Sequence, residues 1–313
     1  MATAFLFPGQ GSQSVGMGYE LYEQYDAARA RFEAVNDLLD GVDLLTLMFG
    51  LESSISDPEG ALKQTEITQP ALYAHSLAAM AVLEAEGTAP DMVAGHSLGE
   101  YSALAAVGAL SFEDGLRVVR RRGELMSEAG DRRPGSMAAV LGADIAHIEE
   151  VCEEISAGGK GVVQPANYNA PGQIVISGDV EAVERATGAI DGRGIPLSVS
   201  GAFHSPLMEY AREGLAEVLD TVSIQVPECP VYPNVTAEPT TDPDEIRRRL
   251  NEQLLSPVRW APTLRRMHAD GATRFVEVGM GQVLQGLVDR TLEGDVEAVG
   301  AGTPEEIEAF LGA

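Results

Sequence analysis

The sequence predicts an α/β fold that carries a small inserted domain, and three features support this. Short apolar segments that have the character of strands alternate with longer helical patterns over most of the 313 residues. Between residues 90 and 106, a strand, a G-x-S-x-G turn and a helix follow one another. From 131 to 200 the order of elements becomes βαββαβ, the ferredoxin-like split motif. We therefore predict a core of residues 1–130 and 201–313 and a small domain of residues 131–200.

Residues that start and stop helices predict the elements before the small domain. Gln69-Pro70 should open a long helix, because proline is tolerated in the first turn, and Gly87 should end that helix. Ser111-Phe112-Glu113-Asp114 resembles a capping box, which should begin another helix that stops before Gly130. In order, we predict a strand at 5–7, helices at 19–39 and 69–86, a strand at 90–94, and helices at 100–106 and 112–129.

The alternation of apolar and polar residues predicts the remaining elements. The small domain should contain strands at 137–140, 161–166, 173–177 and 195–198, with helices at 144–155 and 180–190. Beyond it we predict a helix after Pro206, a strand near 231–235, helices at 242–255 and 260–269, and a buried strand at 274–278. This return to the earlier pattern indicates that the small domain is inserted into the core.

The composition excludes nucleic acid as a partner and predicts no membrane contact. There are 48 acidic residues against 21 basic ones, a net charge of −27, whereas phosphate binding needs clustered cations. No apolar run approaches the roughly 18 residues that span a membrane, and the amino terminus lacks the basic region of a signal peptide. Cys152 and Cys229 provide neither a disulfide framework nor a metal cluster, so the cytoplasm is the expected location.

The same acidic balance favours a protein adapted to salt. Lys63 and Lys160 are the only lysines, and self-repulsion among acidic groups should be large at low salt and weaker where salt screens it. An ordinary acidic bacterial enzyme is the alternative interpretation.

Ser97, in Gly95-His96-Ser97-Leu98-Gly99, is the leading candidate for a catalytic nucleophile. A serine at a sharp turn between strand and helix projects its hydroxyl into a cleft. The backbone N–H that follows can face an oxyanion at the positive end of the helix. The motif alone also occurs in ordinary glycine turns, so the prediction depends on the flanking strand and helix.

A serine nucleophile needs a base, which is usually a histidine. His204 is favoured because it lies in the rigid loop 201–206, where the chain returns to the core. The other four candidates are His75, His96, His147 and His268. No carboxylate is selected by its spacing as the third member of a triad.

Arg122 and Gln10 are further candidates for the site. Arg122 falls on the apolar line of helix 112–129, where an unpaired charge would be costly. It either pairs with a core carboxylate or binds a carboxylate of the substrate through two parallel hydrogen bonds. Gln10 follows the first strand in a glycine-rich loop and could offer its backbone N–H as a second oxyanion donor.

Several motifs together resemble those of the malonyl-CoA:acyl-carrier-protein transacylases, collinearly over nearly the whole chain. They are FPGQGSQ at 7–13, GHSLGEY at 95–101, RG at 122–123, NYNAPGQ at 167–173, FHSP at 203–206, Gln253, and PVRW at 257–260. The resemblance implies an α/β-hydrolase-like core with a parallel sheet and an inserted ferredoxin-like domain. It also implies an acyltransferase that moves malonyl from malonyl-CoA to the phosphopantetheine thiol of acyl carrier protein. The reaction would be ping-pong through a malonyl-serine and would supply fatty acid biosynthesis.

The resemblance also assigns roles to the atoms that react. Ser97 would be the acylated nucleophile and His204 the base, and the backbone N–H groups of Gln10 and Leu98 would form the oxyanion hole. No metal and no cofactor are implied. The implied partners are malonyl-CoA and acyl carrier protein, and we expect a monomer.

Three residues would contact the substrate, again by resemblance. Arg122 would pair with the free carboxylate of malonate. Gln253 matches a residue that the family uses near the histidine in place of a triad acid. Phe203 is the family's malonyl-type signature, although the adjoining Gly201-Ala202 departs from the commonest versions and leaves the choice of acyl group open.

Three other functions stay open. A serine esterase or thioesterase would use the same core, and an acyltransferase of a polyketide pathway would differ only in its carrier. A non-catalytic acidic binding protein is the third. An acidic carrier would also need a basic docking patch, for which the candidates are Arg132-Arg133, Arg247-Arg248-Arg249 and Arg265-Arg266.

Overall fold

The computed structural model describes residues 2–39, 43–51, 55–199 and 201–312. Its elements, in chain order, are β1 (Ala2–Phe7), α1 (Tyr19–Gln24), α2 (Asp26–Leu38), α3 (Leu44–Phe49), α4 (Pro58–Leu62), α5 (Thr65–Ala85), β2 (Met92–Gly95), α6 (Gly99–Ala106), α7 (Phe112–Arg132), β3 (Gly135–Leu141), α8 (Ile145–Ala157), β4 (Val163–Ala170), β5 (Gln173–Asp179), α9 (Val180–Ala189), β6 (Arg193–Pro196), a 3₁₀ turn (Pro206–Met208), α10 (Glu209–Leu219), α11 (Pro243–Gln253), α12 (Trp260–Ala269), β7 (Ala272–Glu277), α13 (Val283–Thr291), β8 (Glu297–Gly300) and α14 (Pro304–Leu311).

A parallel sheet of order β2-β1-β7-β8 forms the core. Its central strand β1 is buried on both faces. Phe5 and Phe7 join the apolar cluster that includes α5 and α7, and Ala4 and Leu6 join a second cluster with α12 and α13. Helices on both faces are the usual arrangement around parallel strands. The carboxyl ends of β1 and β2 lie side by side, so the loops after Phe7 and Gly95 meet at one edge.

A separate antiparallel sheet of order β4-β5-β3-β6 contains the remaining strands. Helices α8 and α9 cover it, and their apolar side chains form a third cluster with Ile174 and Ile176. The element order is βαββαβ, and the strand order places the first and third strands at the centre. The predicted fold class is therefore confirmed. The division into domains at residues 131 and 200 stays a prediction.

The predicted start of the long helix at Gln69 is wrong, because α5 begins four residues earlier at Thr65 and contains Pro70. A proline inside a helix leaves the carbonyl four residues before it without its N–H partner. Here that carbonyl belongs to Glu66, and Arg120 Nη1 donates to it at 3.0 Å. A side chain from α7 thus supports the helix through the proline.

Two other helix predictions also need correction. The stretch 19–39 is two helices, because Tyr25 is extended between α1 and α2. Arg29 stabilises this break by donating to the carbonyls of Tyr22 and Glu23. Helix α7 continues through Gly130 to Arg132 instead of stopping before the glycine.

The strand predicted near 231–235 is also wrong. Val231 forms only isolated bridges, to Val93 and Thr240. Pro233 has no N–H to donate to a sheet, and the N–H of Asn234 donates to a buried carboxylate of α6 instead. The segment therefore leaves the sheet edge and enters the interior beside the turn that follows β2.

No helix in the described ranges has both the length and the apolar character needed to cross a membrane. Salt adaptation stays a prediction. If it is correct, the unfolding midpoint rises as KCl is increased from low to molar concentration, because screening weakens repulsion among the acidic groups. A midpoint that does not respond to salt would exclude it.

Candidate active site

Ser97 occupies a strained turn between β2 and α6. Its φ of 52° is unusual for a residue other than glycine. The glycines on either side make the turn possible. A Cβ on Gly95 would lie 1.9 Å from the carbonyl carbon of Gly99, and a Cβ on Gly99 would lie 2.0 Å from the carbonyl oxygen of Phe7. Only glycine at both positions lets the helix cross so close to the strands.

Two side chains hold the backbone of this turn. Asn234 accepts from the N–H of Ser97 at 2.8 Å and donates to the carbonyl of Gly95 at 2.7 Å. Gln253 Nε2 donates to the carbonyl of Ser97 at 2.9 Å. The strained conformation is thus fixed by surrounding groups, as is common where a fold stores local strain at a functional site.

The hydroxyl of Ser97 lies 2.8 Å from His204 Nε2. The other ring nitrogen, Nδ1, lies 3.0 Å from the carbonyl oxygen of Gln253 and 3.2 Å from that of Ser256. A carbonyl only accepts, so Nδ1 carries the proton and Nε2 is the acceptor for the hydroxyl proton. This is the geometry of a nucleophile and its base.

The structure refines the expectation that Gln253 lies near the histidine. The group that orients His204 is the backbone carbonyl of Gln253, and the side chain of Gln253 makes other contacts. No carboxylate was needed for this role, which accounts for the failure of spacing to select one. A backbone oxygen fixes the tautomer but carries no full charge to stabilise an imidazolium.

His204 is only 3% exposed and its φ is 56°. Burial, together with the nearby charge of Arg122, lowers the pKa of His204 to about 3. The ring is therefore neutral at physiological pH and able to accept a proton. A ring already protonated there would be unable to act as a base.

Arg122, on α7, is 1% exposed and reaches the same hydroxyl. Its Nη2 donates to Ser97 Oγ at 3.1 Å and to Gln253 Oε1 at 2.9 Å. Its Nη1 donates to Gln69 Oε1 at 2.9 Å. A guanidinium only donates, so the serine hydroxyl accepts from Arg122 and directs its own proton toward His204.

All three acceptors of Arg122 are neutral, which excludes a direct ion pair with a core carboxylate among the described residues. Burial lowers the pKa of Arg122. The nearby Glu100 carboxyl opposes this lowering of the pKa, but it is linked to the guanidinium through the Gln253 side chain and makes no direct ion pair with it among the described residues. The site therefore favours an anionic ligand that could sit beside Arg122 and compensate its charge.

A cavity of about 110 Å³ opens over the serine. Its lining combines Ser97, His204 and Arg122 with the apolar side chains of Phe203, Met126, Met137 and others. Gln10 and Leu98 also line it. In the described part of the chain, neither of their backbone N–H groups donates to another residue. A cavity of this volume has room for a short group beside Ser97.

The structure places the other histidines away from the serine hydroxyl. His96 turns its Nε2 to Asn169 Oδ1 at 2.8 Å and packs edge-on against Trp260. His75 is buried in α5, His147 lies on α8, and His268 binds the carbonyl of Ala272. Of the five candidates, His204 alone contacts Ser97 Oγ.

Sequence reasoning missed Asn234, Gln69 and Glu100. Asn234 lies where the sequence predicts a strand, and Gln69 lies where it predicts the start of a helix. Glu100 is 1% exposed and accepts from Gln253 Nε2 at 2.8 Å. One signal was available for Glu100, since the rest of helix 99–106 is uncharged and largely apolar, so the helix offers no polar face to water.

Comparison with known proteins shows the family of the chain. The Acyl transferase domain family matches residues 4–308. A malonyl CoA-acyl carrier protein transacylase of Bacillus subtilis is 45% identical over 315 residues, covering 98% of this chain and 96% of the relative. One from Staphylococcus aureus strain MRSA252 is 40% identical over 312 residues, covering 98% of each.

Solved structures agree as well. The acyl-carrier-protein-S-malonyltransferase of Bartonella henselae is 42% identical with a TM-score of 0.91 and covers 100% of both chains. A malonyl-transacylase in complex with its type II PKS acyl-carrier protein is 37% identical with a TM-score of 0.91, covering 100% of this chain and 99% of that one. This chain therefore belongs to the malonyl-CoA:acyl-carrier-protein transacylase family of acyl transferases.

Proposed function

We propose that this protein transfers malonyl from malonyl-CoA to the phosphopantetheine thiol of an acyl carrier protein. The observation that carries the proposal is the position of Ser97 Oγ, 2.8 Å from a neutral His204 and 3.1 Å from the buried guanidinium of Arg122. A nucleophile with its base beside a buried guanidinium that bonds directly to neutral acceptors suits a substrate that has a reactive thioester at one end and a carboxylate at the other.

In the first half-reaction, Ser97 Oγ attacks the thioester carbon while its proton moves to His204 Nε2. The N–H groups of Gln10 and Leu98 would donate to the oxyanion that forms, where each such donor is typically worth about 10²–10³ in rate. The tetrahedral species then collapses, the carbon–sulfur bond breaks, and the CoA sulfur takes the proton from His204. The product is malonyl-Ser97 and free CoA.

The second half-reaction runs the same steps in reverse on a new thiol. The phosphopantetheine thiol gives its proton to His204 and its sulfur attacks the malonyl-Ser97 ester. The ester bond breaks, and Ser97 Oγ recovers a proton from His204. Each half-reaction returns the imidazole to its neutral form, so no proton is gained or lost by the enzyme.

Specificity for malonyl follows from Arg122 and from the shape of the cavity. The substrate carboxylate would take the place of Ser97 Oγ as an acceptor of Arg122 and compensate the buried charge. Phe203, which lines the cavity and is 6% exposed, would limit substituents on the acyl group. A larger acyl group would have to displace this ring.

The chemistry proposed here needs no cofactor and no metal. The thioester is already activated, and the serine, the imidazole and the backbone N–H groups supply the nucleophile, the base and the oxyanion donors. We also propose that the protein acts in the cytoplasm. This agrees with the free state of Cys152 and Cys229.

The carrier is proposed to be that of fatty acid synthesis, and a polyketide carrier is the alternative. Most of the arginines considered for docking already have partners, since Arg133, Arg248, Arg249 and Arg266 form ion pairs with neighbouring carboxylates. Arg132 stacks on the ring of Tyr210. The docking surface and the monomeric state stay predictions.

The charge of Arg122 also predicts a response of His204 to substrate. Because that charge contributes to the low pKa of His204, a malonyl carboxylate beside Arg122 should raise this pKa. In Ser97→Ala protein, where turnover cannot begin, NMR titration of the His204 ring should move to higher pH when malonyl-CoA is added. Acetyl-CoA has no carboxylate and should cause no such shift. A free protein whose His204 titrates near 6.5, or equal effects of the two ligands, would contradict this account.

The test of the proposed function is transfer to the carrier. The enzyme is incubated with malonyl-CoA and either holo or apo acyl carrier protein, and the carrier's mass is measured. We expect a malonyl-sized gain on the holo carrier only, because the apo form has no thiol. Release of CoA at the same rate without a carrier, and no gain on the holo form, would indicate a thioesterase.

A further inference from the structure

Glu100 is a buried carboxylate that takes no part in the reaction steps above. It lies in the first turn of α6, three residues after the nucleophile, and is 1% exposed. Its Oε2 accepts two hydrogen bonds, from Gln253 Nε2 at 2.8 Å and from the backbone N–H of Asn234 at 3.0 Å. These are the two residues that hold the Ser97 turn.

The bond from Gln253 to Glu100 is one of three that set which way the Gln253 amide faces. Nε2 donates to Glu100 and to the carbonyl of Ser97, which leaves Oε1 to accept from Arg122 at 2.9 Å. Without Glu100, Nε2 keeps one acceptor, the carbonyl of Ser97, and the amide is held less firmly against a rotation that exchanges its oxygen and nitrogen. The NH₂ group would then face the guanidinium, and two donors would oppose each other.

The bond from Asn234 acts on the turn itself. Its backbone N–H is held by Glu100, and its side chain spans the turn by accepting from Ser97 and donating to Gly95. One carboxylate oxygen therefore anchors both residues that support the turn. Burial of a carboxylate is costly unless hydrogen bonds compensate it, and these two bonds do so.

We propose that Glu100 is a positioning residue for malonyl loading, which directs the Gln253 amide oxygen toward Arg122 and fixes Asn234 across the Ser97 turn. The inference rests on the proposed function, since it concerns how Arg122 is held for a substrate carboxylate. Glu100 acts through Gln253 and Asn234 and does not itself touch the reacting atoms.

For this role, Glu100 needs an oxygen at Oε2 that accepts hydrogen bonds, and it does not need a full negative charge. Burial raises the pKa of Glu100 to about 7, so neutral and ionised forms both exist near neutral pH. Each form can keep Oε2 as an acceptor. Glutamine at this position offers an amide oxygen in nearly the same place, whereas alanine offers none. This difference supplies a matched pair of variants.

The test compares Glu100→Ala with Glu100→Gln in single-turnover loading by malonyl-CoA and by acetyl-CoA. Misplacement of a binding group by about 1 Å can cost roughly 10²-fold in rate. We expect Glu100→Ala to lower kcat/KM for malonyl loading by about that factor and to lower acetyl loading less. The malonyl-to-acetyl ratio should then fall by roughly tenfold. Glu100→Gln should recover most of the ratio, which a purely structural loss would not predict.

A double-mutant cycle keeps the test decisive if Glu100→Ala is unstable. Gln253→Leu removes the amide that links Glu100 to Arg122. It should therefore also lower the malonyl-to-acetyl ratio. In an Arg122→Ala background, Glu100→Ala or Gln253→Leu should change the ratio little further, because residues that act as a unit are not additive. An unchanged ratio in the single variants, or Glu100→Gln as impaired as Glu100→Ala, would overturn the inference. Absence of malonyl loading in the unmodified protein would instead overturn the proposed function.

Discussion

Replacing His204 with alanine is expected to slow malonyl loading of Ser97 by roughly 10⁴–10⁶-fold, between the typical contribution of a general base, up to about 10⁴, and the loss of about 10⁶ when a triad enzyme loses its histidine. His204 Nε2 lies 2.8 Å from the hydroxyl, and no other histidine reaches it. Without the imidazole, the hydroxyl retains, among the residues that the structure describes, only its bond from Arg122. A donor cannot remove a proton, so the serine would remain a weak nucleophile.

This loss is measured as the rate of acyl-enzyme formation after rapid mixing with malonyl-CoA. His147→Ala is the matched control, since His147 lies on α8 beside the antiparallel sheet and not in the cavity. Unfolding curves of both variants show whether the fold is preserved. Loading by His204→Ala within tenfold of the unmodified rate would mean that another group is the base.

Replacing Arg122 with alanine is expected to reverse the preference for malonyl. Loss of one partner from a buried charge pair costs about 2–5 kcal/mol, which is roughly 30- to 4,000-fold in kcat/KM. This cost should fall on malonyl-CoA, whose carboxylate would pair with Arg122. Acetyl-CoA has no carboxylate, so its loading should fall much less.

Two further variants sharpen the Arg122 prediction. Arg122→Lys should not restore malonyl loading, because one ammonium cannot reproduce the planar group that bonds both Gln69 and Gln253. Arg117 lies on the same helix and pairs with the neighbouring Asp114, so Arg117→Ala is the control. Parallel losses for malonyl-CoA and acetyl-CoA in Arg122→Ala would show that Arg122 has a structural role only.

The fold could be predicted from sequence where the determinants are local. The βαββαβ order and the turn at Ser97 follow from short patterns of apolar residues and glycines. The start of α5 could not be found this way, because the Glu66 carbonyl freed by Pro70 is satisfied by Arg120, 54 residues away. The strand expected near 231–235 failed for a similar reason, since the N–H of Asn234 is bound by Glu100.

In the candidate site too, the residues that could be predicted are those marked by their local sequence. Ser97 is marked by its own motif, and the structure places His204 and Arg122 beside it. The supports of these residues come from distant segments and carry no motif of their own. Glu100 was the exception that could have been found, because a lone charge in a short apolar helix needs a buried partner. Gln253 orients the histidine through its backbone carbonyl. The position of that carbonyl depends on the path of the backbone, which cannot be inferred from the type of side chain.

The most direct test of the central claim is the mass of the intact protein after brief incubation with malonyl-CoA, for the unmodified chain and for Ser97→Ala. We predict a malonyl-sized gain on the unmodified protein alone, which disappears when holo acyl carrier protein is added. No gain, or an equal gain on Ser97→Ala, would contradict the assignment of Ser97 as the acylated nucleophile.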